Sequence, residues 1–187
     1  TKPGEKRFIM SLRAVGEGHI SSIEFRSGTI NAAGQITLEE ESGLASVALP
    51  DHSKVFAKEK LRHRTRILPD FDIQVFDPLG DLFTKNDYLK LPEEAWSGSD
   101  SDSLKVLDDI MDSNYDVIRQ KGSKLSDTVV FPRAQQESRG MEDVRFVEFK
   151  EQGVSTFIGT YTAYNGHRIS PQLIITKDFS RFKIRTM

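Results

Sequence analysis

Ser155-Thr-Phe-Ile-Gly-Thr-Tyr-Thr-Ala-Tyr164, followed by Asn165-Gly166 and then Gln172-Leu-Ile-Ile-Thr176, decides the fold class. The first run is rich in Thr, Tyr, Phe and Ile, which suit a pleated, half-buried surface. Asn-Gly is the strongest short hairpin signal, because both residues tolerate positive φ. The last run is the returning strand. Upstream, Arg145-Phe-Val-Glu-Phe149 alternates polar and apolar, and Thr128-Val-Val-Phe131 is stopped by Pro132. Downstream, Lys177-Asp-Phe-Ser180 is a turn and Arg181-Phe-Lys-Ile-Arg185 alternates again. Residues 125–187 therefore read as a β region with turns every 8–12 residues or so, the spacing of a sandwich or a propeller.

The same rhythm opens the chain. Residues 7–12 start a strand almost at once, and Gly16-Glu-Gly18 is a turn. Ile23 and Phe25 then alternate with Glu24 and Arg26, which predicts a strand with one buried face. Asn31-Ala-Ala-Gly34 turns the chain into a short strand at Gln35–Leu38. Residues 1–49 are thus a first β region and 125–187 a second. Residues 50–124 between them lose the rhythm. Asp51 is placed to cap a basic helix from Ser53 to about Arg64. Pro69, Pro78 and Pro92 break the next stretch. Leu104, Leu107, Met111 and Ile118 fall on one helical face, which predicts a helix from Ser103 to Gly122. This block reads as a helical insertion on a β scaffold.

Composition bounds the function. The chain has 187 residues, 37% of them hydrophobic and 29% charged, with a net charge of -2. The near-balance of charge gives no global field toward nucleic acid or an anionic membrane, so neither is expected as a partner. The absence of cysteine excludes disulfides, thiolate metal sites and cysteine nucleophiles. None of His19, His52, His63 and His167 has metal-ligand spacing. The run Lys58–Arg66 is basic and reads as a solvated helix face. Both ends of the chain break into strand-like pattern, and Thr1 is not an initiator, which suggests a piece of a longer chain.

Two segments carry chemistry. Glu137-Ser-Arg-Gly-Met-Glu-Asp-Val-Arg-Phe146 crowds Glu142, Asp143 and Arg145 at a strand start. On a regular strand Asp143 and Arg145 share a face, so Arg145 would hold and orient Asp143. The plain alternative is a surface ion-pair cluster. The second is Gly159–Arg168, where Tyr161, Tyr164, Asn165, His167 and Arg168 crowd one hairpin. Rings stack on sugar faces while Asn and Arg bond hydroxyls, although the same residues also make a stable hairpin.

Taken together, Arg7–Arg13, Gly16–Arg26, Gly140-Met-Glu-Asp-Val-Arg-Phe-Val147, Gly159–Gly166 and Ser170–Phe179 resemble glycoside hydrolase family 130, the mannosyl phosphorylases and β-mannosidases. The resemblance implies a five-bladed β-propeller, of which this chain would supply two to three blades, with the remaining blades or another copy of the chain as partner. It implies inverting cleavage of a β-mannoside by phosphorolysis or hydrolysis. Asp143 would be the general acid, with Val144 standing where the family motif has proline. Glu142 and Arg145 would orient the acid or the sugar, and Arg13, Tyr164, Asn165 and His167 would contact the sugar. No cofactor or metal is implied, only inorganic phosphate as a possible co-substrate. A non-catalytic carbohydrate-binding propeller and a partner-binding fragment are the rival expectations.

Overall fold

The computed structural model describes residues 4–187; Thr1 lies outside the described residues. The chain divides into two compact units, one made of the chain up to Pro50 together with Asp116–Met187, the other of Asp51–Tyr115. Strand accounts for 42% of residues and helix for 22%, so the molecule is mainly β. The strands are β1 Lys6–Val15, β2 Ser21–Ile30, β3 Ile36–Leu38, β4 Ser46–Val47, β5 Leu49–Pro50, β6 Val55–Ala57 and β7 Leu82–Thr84, then β8 Asp116–Ile118 and β9 Thr128–Val130. The long strands follow, β10 Gly140–Glu151, β11 Val154–Tyr164, β12 Ile169–Thr176 and β13 Arg181–Thr186.

In the first unit the strands form one sheet in the order β4-β9-β2-β10-β11-β12-β13-β8-β5, with β1 and β3 also paired to β2. The sheet is barrel-like and nearly closed. Its two ends, β4 and β5, are separated in sequence by Ala48 alone. Ala48 is buried and its N–H donates to the Val129 carbonyl at 2.8 Å. One five-residue stretch thus pairs with β9 on one side and β8 on the other, which ties the ends of the sheet together covalently. Closing a sheet this way removes two exposed edges that would otherwise invite association.

The hairpin that decided the fold class is present as expected. β11 and β12 pair antiparallel from Phe157↔Thr176 to Tyr164↔Ile169 around the Asn165-Gly166 turn. The alternation of β2 also holds. Ile23 and Phe25 are buried, while Arg26 on the opposite face ion-pairs with Glu41 at 2.7 Å and Glu24 at 3.3 Å. The sheet encloses an aromatic core. Phe25 lies 5.2 Å from Phe182, 5.8 Å from Phe179 and 6.3 Å from Phe146 between ring centroids. Burying rings of this size supplies the main stabilisation.

The inserted unit contains α1 Lys58–Thr65, α2 Lys85–Leu89 and α3 Ser101–Asp112. Its core joins Phe56, Leu61, Phe76, Phe83, Leu107 and Met111. Two boundaries differ from the sequence expectation. Asp51 does not cap a helix at Ser53; its carboxylate accepts from the Ser53 N–H and hydroxyl in a local turn. Val55–Ala57 then pairs with β7, and the helix starts only at Lys58. The α3 helix stops at Asp112 rather than Gly122. The Ser113 hydroxyl and Asn114 amide bond back to the carbonyls of Asp109 and Ile110, which ends the turn. Val117 and Ile118, read as helical, instead pair with Phe182 and Arg181 in the sheet. The insertion is accordingly residues 51–115 rather than 50–124.

Candidate functional site

Arg13, Glu142 and Asp143 come from strands more than a hundred residues apart in sequence. What brings them together is a single parallel bridge, Gly140↔Ser21, between the starts of β10 and β2. Gly140 has φ +149, and a Cβ there would lie 2.8 Å from the Ser21 Cβ. Glycine is therefore what lets the two strands touch. Arg13, on β1, pairs with Ile23 of β2 and reaches over this junction.

The guanidinium uses all three of its nitrogens. Nε donates to the Ser21 hydroxyl at 3.0 Å, Nη2 donates to Glu142 Oε1 at 2.7 Å, and Nη1 stands 3.9 Å from Asp143 Oδ1. The Ser21 hydroxyl in turn donates to Glu142 Oε1 at 3.3 Å. A planar fork held at two points is fixed in orientation. Glu142 is mostly covered at 21% exposure, whereas Asp143 is 65% exposed. Among the described residues Asp143 accepts no hydrogen bond, so its carboxylate is left open to an incoming group.

The exposure of Asp143 follows from a bulge. β10 and β11 pair at Glu142↔Thr162 and resume at Arg145↔Thr160. Asp143 and Val144 together thus oppose the single residue Tyr161. Asp143 takes φ +55, the left-handed conformation usually given to glycine at the first position of such a bulge. The extra residue turns Val144 inward behind the buried Met141 and throws Asp143 outward. This corrects one expectation from the sequence. Strict alternation placed Arg145 beside Asp143 as the cation that holds it, whereas the cation within ion-pair distance of Asp143 is Arg13. Arg145 lies beyond the bulge and lines a groove with Arg7, Phe8 and Phe146.

The second predicted segment sits on the neighbouring hairpin. Tyr164 pairs with Gly140, and its carbonyl accepts from the Arg139 N–H at 2.8 Å. Its hydroxyl donates to the Gly166 carbonyl at 2.9 Å. The Asn165 side-chain oxygen accepts from the N–H groups of His167 and Arg168 at 3.0 and 2.7 Å. These groups build the turn, and His167 is exposed.

Two residues were not picked out from the sequence. Ser21 joins Arg13 to Glu142, but a lone serine before a strand carries no signal, and its partner is 121 residues away. Glu137 is wholly buried. One of its oxygens accepts from the N–H groups of Arg133 and Ala134, both at 3.0 Å, and the other accepts from the Tyr161 hydroxyl. This carboxylate pins the loop before β10 onto β11, directly behind the bulge. Its spacing to the Met-Glu-Asp run was visible, but its burial was not.

Among the described residues, no group of three His, Asp or Glu side chains is arranged to hold a metal ion. Comparison with protein-family models, with curated proteins and with solved structures returns no match.

Proposed function

We propose that this chain forms part of a five-bladed β-propeller enzyme of the glycoside hydrolase family 130 kind, which cleaves β-mannosides with inversion. Asp143 is the general acid. Glu142 and Arg13 hold one another and set the position of the acid, and the Tyr164–His167 turn contacts the sugar. The acceptor is phosphate or water.

The observation that carries the reading is the exposed Asp143 carboxylate on a left-handed bulge beside an anchored guanidinium. Strained non-glycine backbone gathers at functional sites, where the surrounding structure holds it in place. The blade reading is supported by β10-β11-β12-β13, four consecutive strands paired in sequence order as an antiparallel meander. In an inverting reaction a carboxylic acid protonates the leaving oxygen while the acceptor attacks the opposite face of the anomeric carbon. The proton lost by Asp143 is recovered from solvent after the product leaves. With water, a second carboxylate roughly 6.5–9.5 Å from the acid would serve as base; with phosphate, the anion is itself the nucleophile.

The test is to incubate the protein with β-1,4-linked manno-oligosaccharides, with and without inorganic phosphate. Sugar phosphate forming only with phosphate identifies phosphorolysis, and free mannose in both identifies hydrolysis. Sugar binding without cleavage in either would replace the enzyme by a binding module.

A further inference from the structure

Among the described residues the sheet has a gap in its hydrogen bonding that no strand fills. β1 pairs along its whole length with β2, from Lys6↔Ile30 to Val15↔Ser21, and among the described residues its other edge is paired to no strand. β10 beyond the bulge pairs with β11 from Arg145↔Thr160 to Glu151↔Val154, and its other edge is likewise unpaired. These two edges face one another. They meet where the Ser11 hydroxyl donates to the Val144 carbonyl at 3.1 Å. From there a groove of about 990 Å³ runs between Arg7–Ser11 and Val144–Glu148. Its floor is apolar, with Phe8, Phe146, Phe157 and Phe179, and through Phe179 it reaches the ring cluster around Phe25.

We propose that this groove is a binding slot for an extended peptide strand supplied by another protein, apolar at alternate positions and acidic where it passes Arg145. Two facing strand edges present rows of N–H and C=O groups, and a β-strand is the ligand that satisfies both rows at once. Five residues of strand span roughly 17 Å, the length of β1 that lines the groove. Alternate side chains of the guest would enter the aromatic floor and the others would face solvent. A folded second copy of this chain does not fit. A slot with two walls takes a strand with both edges free, and every strand described here already spends at least one edge on a neighbour. The guest is therefore an otherwise unpaired segment. Its charge preference comes from the rim, where Glu148 is already held by Lys150 at 3.5 Å and by the Ser155 hydroxyl at 2.6 Å. Arg7 is paired with Glu39 at 2.6 Å, whereas exposed Arg145 makes no ion pair among the described residues. The slot does not depend on the sugar chemistry at Asp143.

The test uses hydrogen exchange on the full chain with three synthetic heptapeptides. The first is Ser-Val-Thr-Val-Glu-Val-Thr, the second has Lys for Glu, and the third has Pro at both Thr positions. The expected result is at least a tenfold slowing of amide exchange in residues 7–11 and 144–148 with the first peptide, a weaker effect with the second and none with the third. Arg145→Glu, a surface change that leaves the fold intact, should reverse the preference between the first two. Absence of slowing with every peptide overturns the slot. So does equal slowing with the proline peptide, which would mean apolar adhesion rather than strand pairing. Slowing that grows with protein concentration and no peptide would assign the groove to a second copy instead.

Discussion

Asp143 holds a backbone conformation that glycine would adopt at lower cost. A non-glycine residue with φ near +55 carries strain of about 1 kcal/mol or more. If the aspartate is kept there for chemistry, relieving the strain should cost activity and add stability. Asp143→Gly should therefore raise the urea midpoint, by about 0.5–1 kcal/mol in stability, while abolishing cleavage. A lower midpoint would mean that the carboxylate is a structural group. Glu137 should behave in the opposite sense. Glu137→Ala removes the carboxylate that accepts from the Arg133 and Ala134 amides and the Tyr161 hydroxyl. A loss of about 3 kcal/mol is expected from urea unfolding, and a change below about 0.5 kcal/mol would remove it as the anchor behind the bulge. At this scale the sequence was informative about residue types and weak about neighbours. Asp143, Glu142 and Arg13 were legible as candidates. That Arg13 attends Asp143 depends on the pairing of β1 and β10 with β2, which periodicity along one strand does not register.

Elements with a strict period were legible, and elements decided by side-chain bonds to the backbone were not. The hairpin at Asn165-Gly166 and the faces of β2 followed from alternation because burial on one face fixes the register. The end of α3 did not, since Val117 and Ile118 continue the apolar spacing of the helix although Ser113 and Asn114 have already closed it. The start of α3 carries a pH dependence. Hydrogen bonding to the Ser103 side chain, then to its backbone N–H, holds the Asp100 carboxyl below its ordinary range. A carboxyl with a lowered folded-state value contributes stability that is complete above its unfolded pKa of about 3.9 and is lost as pH falls through the folded value. Amide exchange in residues 101–106 should accelerate as pH falls below about 4 after correction for intrinsic rates, and Asp100→Asn should flatten that dependence. An unchanged profile in the variant would remove Asp100 as its source.

The whole sheet depends on a short piece of chain that looks unremarkable in sequence. Leu44-Ala-Ser-Val-Ala-Leu-Pro50 gives no strand pattern worth a prediction, yet Ser46–Pro50 pairs with β9 and β8 and joins the two ends of the sheet. Ala48→Pro removes the N–H that donates to Val129. It should lower stability by about 1–3 kcal/mol, read as a shift in the urea midpoint with faster exchange in residues 128–130. No shift would mean that the sheet stays closed without this bond. What the closed sheet presents at the Gly140–Ser21 junction is the proposed reaction centre, and one measurement addresses it most directly. Proton NMR of the first minutes of reaction with β-1,4-mannobiose reports the configuration of the new anomeric centre. The wild-type chain should release the α-configured product, as mannose 1-phosphate with phosphate or as mannose with water, and Asp143→Asn should release none. A β-configured product, or cleavage by Asp143→Asn at the wild-type rate, would contradict Asp143 as the acid of an inverting enzyme.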